Sequence, residues 1–254
     1  MSRAVLVVLS LVVASQSWAA QPTFPVTACG DAVPPNTRGV LSADLDCTGF
    51  AGGIGGTAVS VGRNATLDLG GFTITGGLFG VGCFEVCPDN GTGACSDAGS
   101  HCTILNGTVT GATASGITGE RVTVRNVVAT GNGENGVQGY RRARAIDSTL
   151  TNNGDDGIRA WSVKVERCTV TGNGRHGAGG GKYSNGHYTQ GVAIKESLVV
   201  NNAASLDCGT NAQPYCADVF SGTKPRVRKS TCGTSGSPRS VPGCGRDWCV
   251  CSND

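Results

Sequence analysis

The chain has 254 residues and a formal charge of +2, with 41 glycines, 13 cysteines and an aromatic content of 5%. The near-neutral balance, with no basic run interleaved with aromatics, excludes a nucleic-acid surface. Glycine without a G-X-Y period excludes a collagen-like chain, and the supply of Leu, Val and Ile excludes disorder.

In chain order, residues 1–19 read as a secretory signal peptide. Arg3 supplies the positive start, positions 4–14 form the apolar run, and Ser17-Trp18-Ala19 places small residues at the cleavage site. The run is too short to span a bilayer, so no membrane association is expected after cleavage, and the location is secreted, periplasmic or cell-surface. Residues 20–48 are expected to form an N-terminal cap holding Cys29 and Cys47. Residues 49–207 form a repeat region with insertions near 82–102 and 179–191, and 208–254 form a Cys-rich C-terminal cap. In an exported chain, the cysteines of the caps and of the first insertion (Cys83, Cys87, Cys95, Cys102) read as disulfides. No matched second pair stands at zinc-finger spacing. Cys168 alone lies inside the repeats and is expected to be a buried free thiol.

The repeat sets the fold. T-G-N-G-E-N-G-V at 130–137 recurs as T-N-N-G-D-D-G-I at 151–158 and T-G-N-G-R-H-G-A at 171–178, with a weaker copy at 110–117. A period of about 20 residues means a solenoid. Alignment on the threonine sorts residues into columns. Ile104, Val124, Ala145 and Val165 form one apolar column; Val109, Ala129, Leu150 and Val170 form another; Ile117, Val137, Ile158 and Ala178 a third. Gly107, Val127, Ser148 and Cys168 make a small, inward column. Asn132, Asn153, Asn173 and Asn202 are expected to hydrogen-bond from coil to coil. Glycines 116, 136, 157 and 177, and 133, 154 and 174, are expected to allow positive φ at the bends. Leucine columns and helix formers are missing, which argues against a leucine-rich repeat. The period does not fit an 18-residue hexapeptide coil. The expected fold is all-β: a single-stranded right-handed parallel β-helix of about 7–8 coils with disulfide-rich caps, and a monomer.

Cys29-Gly30, Leu41 with Asp44-Leu45-Asp46-Cys47, and Leu67-Asp68-Leu69-Gly70-Gly71-Phe72-Thr73-Ile74-Thr75-Gly76 resemble the opening coils of right-handed parallel β-helix proteins of the pectate-lyase-like superfamily. Within it, they are similar to the exported repeats typified by the copper-site maturation protein of nitrous oxide reductase. Cys216-Ala217-Asp218, Thr231-Cys232-Gly233-Thr234-Ser235 and Trp248-Cys249 resemble a tail found on members of no assigned function. The resemblance implies the fold and leaves activity open, because the superfamily holds lyases, hydrolases, epimerases, adhesins and inert scaffolds.

Two surfaces are candidate sites. Both insertions follow the same strand of the coil, which points to one edge bearing Tyr140, Arg141, Arg142, Arg159, Trp161, Lys182, Tyr183, His187 and Tyr188. Aromatic faces pack on sugar rings and arginine forks pair with uronate carboxylates, so this edge reads as a groove for an anionic polysaccharide. On the opposite turn stand Glu134-Asn135, Asp155-Asp156 and Arg175-His176. Asp155, Asp156, His176 and Glu134 are the catalytic candidates there, because Gly154-Asp155-Asp156 and Arg175-His176-Gly177 resemble motifs of polygalacturonase-like glycosidases. The N-T-D of that family is missing, and Ala193 replaces its arginine. No cofactor is expected, and no metal, since His101, His176 and His187 do not converge. The reading is a secreted protein that binds extracellular anionic polysaccharide. One alternative is a polysaccharide lyase, polygalacturonase-like glycosidase or epimerase; another is a non-catalytic cell-surface structural or interaction protein.

Overall fold

A computed structural model describes residues 21–83, 101–181, 183–184, 187–188, 190–202, 217–223, 225–233 and 235–236. Twenty-two strands pair in parallel into one continuous sheet that winds around the core. The fold is thus the expected all-β parallel β-helix, and it presents three faces.

Face one stacks Thr23–Val26, Arg38–Leu41, Thr66–Asp68, residues 101–105, 121–125 and 142–146, then Ser162–Glu166, Val192–Lys195 and Arg226–Arg228. Face two stacks Leu45–Cys47, Thr73–Gly76, residues 107–110 and 127–130, Thr149–Thr151, Thr169–Thr171, Leu198–Val200 and Thr231–Cys232. Face three stacks Ala32–Val33, Thr57–Val61, Phe79–Cys83, residues 117–119 and 137–139, Ile158–Ala160, His176–Gly180, Ala217–Ser221 and Ser235–Gly236. Strands from both segments read as caps join these ladders.

Alternation along each strand buries every second side chain. Ile104, Val124, Ala145 and Val165 inside face one are fully buried, as are Val109, Ala129, Leu150 and Val170 inside face two and Ile117, Val137, Ile158 and Ala178 inside face three. Outward on face two, β-branched threonines form rows, Thr149 beside Thr169 and Thr130 beside Thr151 beside Thr171. Such residues suit a pleated, half-buried surface.

The corner from face one to face two is a left-handed residue in coil after coil: Asn106, Asn126, Asp147, Arg167, Glu196 and Lys229 have φ between 47° and 53°. Side chains in this column partner one another. Asn126 Nδ2 donates to Asn106 Oδ1 at 3.1 Å, and the Arg167 guanidinium grips Asp147 at 2.6 and 3.0 Å. These contacts help hold a backbone conformation that disfavours most L residues.

The next corner, from face two to face three, carries the asparagine ladder. Asn132 donates its backbone N–H and Nδ2 to Asn153 Oδ1 at 3.2 and 2.9 Å. Asn153 donates likewise to Asn173 Oδ1 at 3.1 and 2.9 Å, and Asn173 to Asn202 Oδ1 at 3.2 and 2.7 Å. Asn202 ends the series on the carboxylate of Asp218, at 2.8 and 2.9 Å. The glycines beside this ladder act differently from expectation. Positions 116, 136, 157 and 177 are absent from the positive-φ glycines, as are 133, 154 and 174. They serve close approach instead: a Cβ on Gly136 or Gly157 would lie 2.8 Å from Asn153 Nδ2 or Asn173 Nδ2.

Cys29–Cys47 and Cys83–Cys102 are disulfides, and Cys232 is disulfide-bonded as well. Cys87, Cys95, Cys208, Cys216, Cys244, Cys249 and Cys251 lie outside the described residues. Cys168 is a buried free thiol, as expected. It occupies the column of Ser148, Ser197 and Ser230 and, as they do, donates to the carbonyl two residues back. Burial pushes its thiol pKa up, which keeps it protonated and unreactive.

Candidate functional site

The insertions leave face three and return on face one. Cys83 ends a face-three strand and His101 opens the next face-one strand; Gly180 and Val192 bracket the second insertion in the same way. Residues 84–100 and Lys182 lie outside the described residues. Of Tyr183, His187 and Tyr188 only the backbone is described: Tyr183–Ser184 and His187–Tyr188 pair antiparallel.

Next to the second insertion, face one holds a groove of about 630 Å³ lined by Arg142, Arg144, Ser162, Lys164, Gln190, Thr223 and Arg226, with Gly191, Val192, Val163 and Ala193 between them. Among the described lining residues four are cations and none is a carboxylate. Their position follows from strand alternation: Arg142-Ala143-Arg144 and Val163-Lys164-Val165 bury the apolar residue and turn the charge outward. The register then stacks the charges. Arg121 pairs with Arg142, Arg144 with Lys164, and Ala193 with Arg226. Strand neighbours lie about 4.8 Å apart, so each of the first two pairs sets two cations at that interval along the solenoid axis; Ser162 follows Arg142 in one column, and Ala193 separates Lys164 from Arg226 in the other. Among the described residues Arg142 and Arg226 have no carboxylate partner.

Glu166 organises the far side of this strip. Arg144 reaches it at 3.1 Å, Arg167 at 2.8 Å, Lys195 at 3.4 Å and Lys164 at 3.8 Å. Hydrogen bonds from Arg144 and then Arg167, outweighing partial burial, pull its carboxyl pKa down to about 2. A depressed carboxylate adds stability above its ordinary value of 4.5 and loses it as pH falls through about 2. In denaturant unfolding at a series of pH values, the advantage of the native protein over Glu166→Gln is expected to shrink across that window and vanish below it. A constant difference would show that the network does not hold the carboxylate ionised.

Only part of the expected edge converges on the groove. Arg142 lines it. Tyr140 is 52% exposed at the corner beside it. Arg141 lies over the Trp161 ring at 6.0 Å and is ion-paired to Glu120. Arg159 turns the other way, toward Asp155 and Asp156 at 3.6 and 3.5 Å. Arg144, Lys164 and Arg226 join the groove from outside the edge predicted by the insertions, because they occupy the outward strand positions next to it.

The second candidate surface is a buried polar column. Asn135 Nδ2 donates to Ser115 Oγ at 3.2 Å, and the Asp156 N–H to Asn135 Oδ1 at 3.2 Å. The His176 N–H donates to Asp156 Oδ1 at 3.1 Å, and His176 Nδ1 shares a 2.7 Å hydrogen bond with the same oxygen. The His176 ring stacks on Phe220 with centroids 4.9 Å apart. The side chains of Asp156 and His176 are 1% and 2% exposed. Asp155 stands nearer solvent and pairs with Arg175 at 3.2 Å. Glu134 is exposed and accepts from Ser115 Oγ at 3.4 Å. A pocket of about 40 Å³ opens above the dyad, floored by Gly179 and Gly180. A Cβ on Gly179 would lie 2.7 Å from Asp156 Oδ2, so glycine there makes room for the carboxylate. The structure brings Asp156 and His176 together and leaves Glu134 apart from them.

Among the described residues, no group of three or more His, Cys, Asp or Glu is placed to hold a metal ion, and no helix is long and apolar enough to cross a membrane.

No protein-family model matches the sequence, and no curated protein matches it. Among solved structures it is similar to the pectate lyase Pel9A, at 16% identity over 78% of this chain and 55% of that one, with a TM-score of 0.44. It is also similar to the A-module of the Azotobacter vinelandii mannuronan C-5 epimerase AlgE4, at 13% identity over 85% of this chain and 78% of that one, with a TM-score of 0.37. The chain therefore spans 55% of the length of that lyase. Neither is a copper-site maturation protein, and these likenesses assign no role to any residue.

Proposed function

We propose that the protein binds an extracellular anionic polysaccharide along face one. The observation that carries this reading is the groove lined by Arg142, Arg144, Lys164 and Arg226 with no carboxylate among its described lining residues. Two adjacent outward columns of paired cations suit a polymer that carries anionic groups, and guanidinium forks suit carboxylate or sulfate oxygens. Tyr140, 52% exposed at the corner beside the groove, offers a face on which a sugar ring can pack. The disulfides support an exported protein, because such bonds persist in oxidising compartments.

The test is calorimetric titration with polygalacturonate, with heparin and with a neutral glucan, at fixed ionic strength. The anionic polymers are expected to bind and the neutral one not. Arg142→Glu and Arg226→Glu are each expected to weaken binding about tenfold, the loss of one charge-assisted contact. Equal affinity for the neutral polymer, or unchanged affinity in both variants, would overturn the reading. The same samples decide the catalytic alternative: new reducing ends or unsaturated uronate would make the protein a hydrolase or a lyase. Absence of binding to all three polymers would favour a structural or interaction role.

A further inference from the structure

We propose that polyanion binding on face one is proton-linked through His101, so that the strip takes up a proton on binding and grips tighter as the solution is acidified. This deepens the reading of face one as a polyanion site and rests on it.

His101 pairs in register with Arg121, and Arg121 with Arg142. The imidazole is therefore the N-terminal member of the outward column whose third member lines the groove. It is exposed, and its Nε2 lies 3.0 Å from Thr123 Oγ1 on the adjacent strand. Among the described residues, the groups around His101 are mostly cationic or neutral, with Glu120 the one carboxylate nearby. On the N-terminal side the neighbouring turn carries Arg63 and Asn64, whose N–H donates to the His101 carbonyl at 2.7 Å. On the C-terminal side stand Arg121 and Thr123, with Arg142 one coil further. Glu120, beside Arg121, is ion-paired to Arg141.

In the free protein, partial burial first, and then the charges of Arg121 and Arg142, hold His101 below its ordinary value of 6.5. A polyanion laid over the column brings opposite charge to the arginines and to the imidazole beside them, and this favours the imidazolium. Linkage makes the effect reciprocal: a ligand that raises the affinity for a proton is bound more tightly when the proton is present. Because the histidine's pKa is higher in the complex, the added affinity is fully present below the free-protein value. It is lost as pH rises through the value in the complex.

The experiment is calorimetric titration of the full chain with heparin, whose sulfates keep their charge across the range, at about pH 5 and about pH 8. Wild type is expected to bind about tenfold more tightly at the lower pH, which corresponds to a one-unit rise in the histidine's pKa on binding. Titrations in buffers of different ionisation heat should show net proton uptake near pH 6. His101→Gln is expected to keep the wild-type affinity at the higher pH and to show neither the gain nor the uptake. A wild-type affinity that does not change with pH overturns the inference. So does a gain that survives in His101→Gln, which would place the proton elsewhere. Failure to bind at both pH values would instead overturn the polysaccharide reading itself, and is recognised by that.

Discussion

Replacing Asp156 by alanine is expected to cost about 3 kcal/mol of folding stability, from buried hydrogen-bond partners left unmatched at about 1–3 kcal/mol each. The carboxylate is almost fully buried and holds together groups from neighbouring coils. It accepts from the His176 N–H and Nδ1, and lies 3.5 Å from Arg159 Nη1 and 4.0 Å from Arg175 Nε. Alanine would remove the carboxylate that accepts from the His176 N–H and Nδ1 and leave a gap over Gly179. Asp156→Asn is expected to cost less, since an amide oxygen can still accept from the His176 N–H, as Asn135 does from Asp156 one coil earlier. Denaturant unfolding of the two variants measures both. If Asp156→Ala unfolds with the wild-type midpoint, the dyad is not structural, and its burial would need another reason. The same pair of variants bears on catalysis: Asp156→Asn should keep the fold and abolish any hydrolysis that used this carboxylate as acid or base.

The second large effect is expected at the centre of the asparagine ladder. Asn173 Oδ1 accepts two bonds from Asn153, and Asn173 Nδ2 donates to Leu150 O at 3.0 Å and to Asn202 Oδ1 at 2.7 Å. Asn173→Ala strands two buried donors and removes the partner of two acceptors. At about 1–3 kcal/mol for each buried group left unmatched, with some relaxation, the loss should be about 3 kcal/mol. Asn132→Ala, at the N-terminal end, strands the Ala112 N–H and should cost roughly half as much. Thermal or denaturant unfolding of the two gives the ratio; equal costs would mean that the ladder does not act as a connected series.

Much of the architecture could be read from the sequence because the repeat is its own alignment. Once the threonines are stacked, Ile117, Val137, Ile158 and Ala178 fall in one column, and all are buried. Cys168 could be placed inside for the same reason. Less could be read of the groove. Arg144 and Lys164 occupy outward positions that alternation specifies, but they draw no notice in a sequence scanned for insertions and motifs. Arg226 was harder still, because the period breaks after Asn202 and only the register of Ala193 with Arg226 restores it. The glycine columns show a different limit. Glycine is needed both where φ is positive and where another chain approaches, and sequence alone does not separate the two. Gly111, Gly131 and Gly172 meet the first need, at φ of 64° to 70°, whereas Gly136 and Gly157 meet the second. Glu134 was grouped with Asp155 and Asp156 by repeat position, yet the residue after it, Asn135, is the one that turns inward.

The ladder that ends on Asp218 also gives the solenoid a direction, and this bears on how such a chain can be lengthened. An asparagine both accepts from one coil and donates to the next, so a further coil placed between Asn132 and Asn173 finds a donor on one side and an acceptor on the other. An aspartate side chain only accepts, so the side-chain row that runs through the asparagines stops at Asp218. Duplicating an internal unit of about 20 residues should yield a longer helix with its hydrogen bonds intact. Duplicating the unit that contains Asp218 would bury a carboxylate in mid-row with only its backbone N–H to continue the series. Growth of this molecule by repeat duplication is thus favoured in its interior over its C-terminal end.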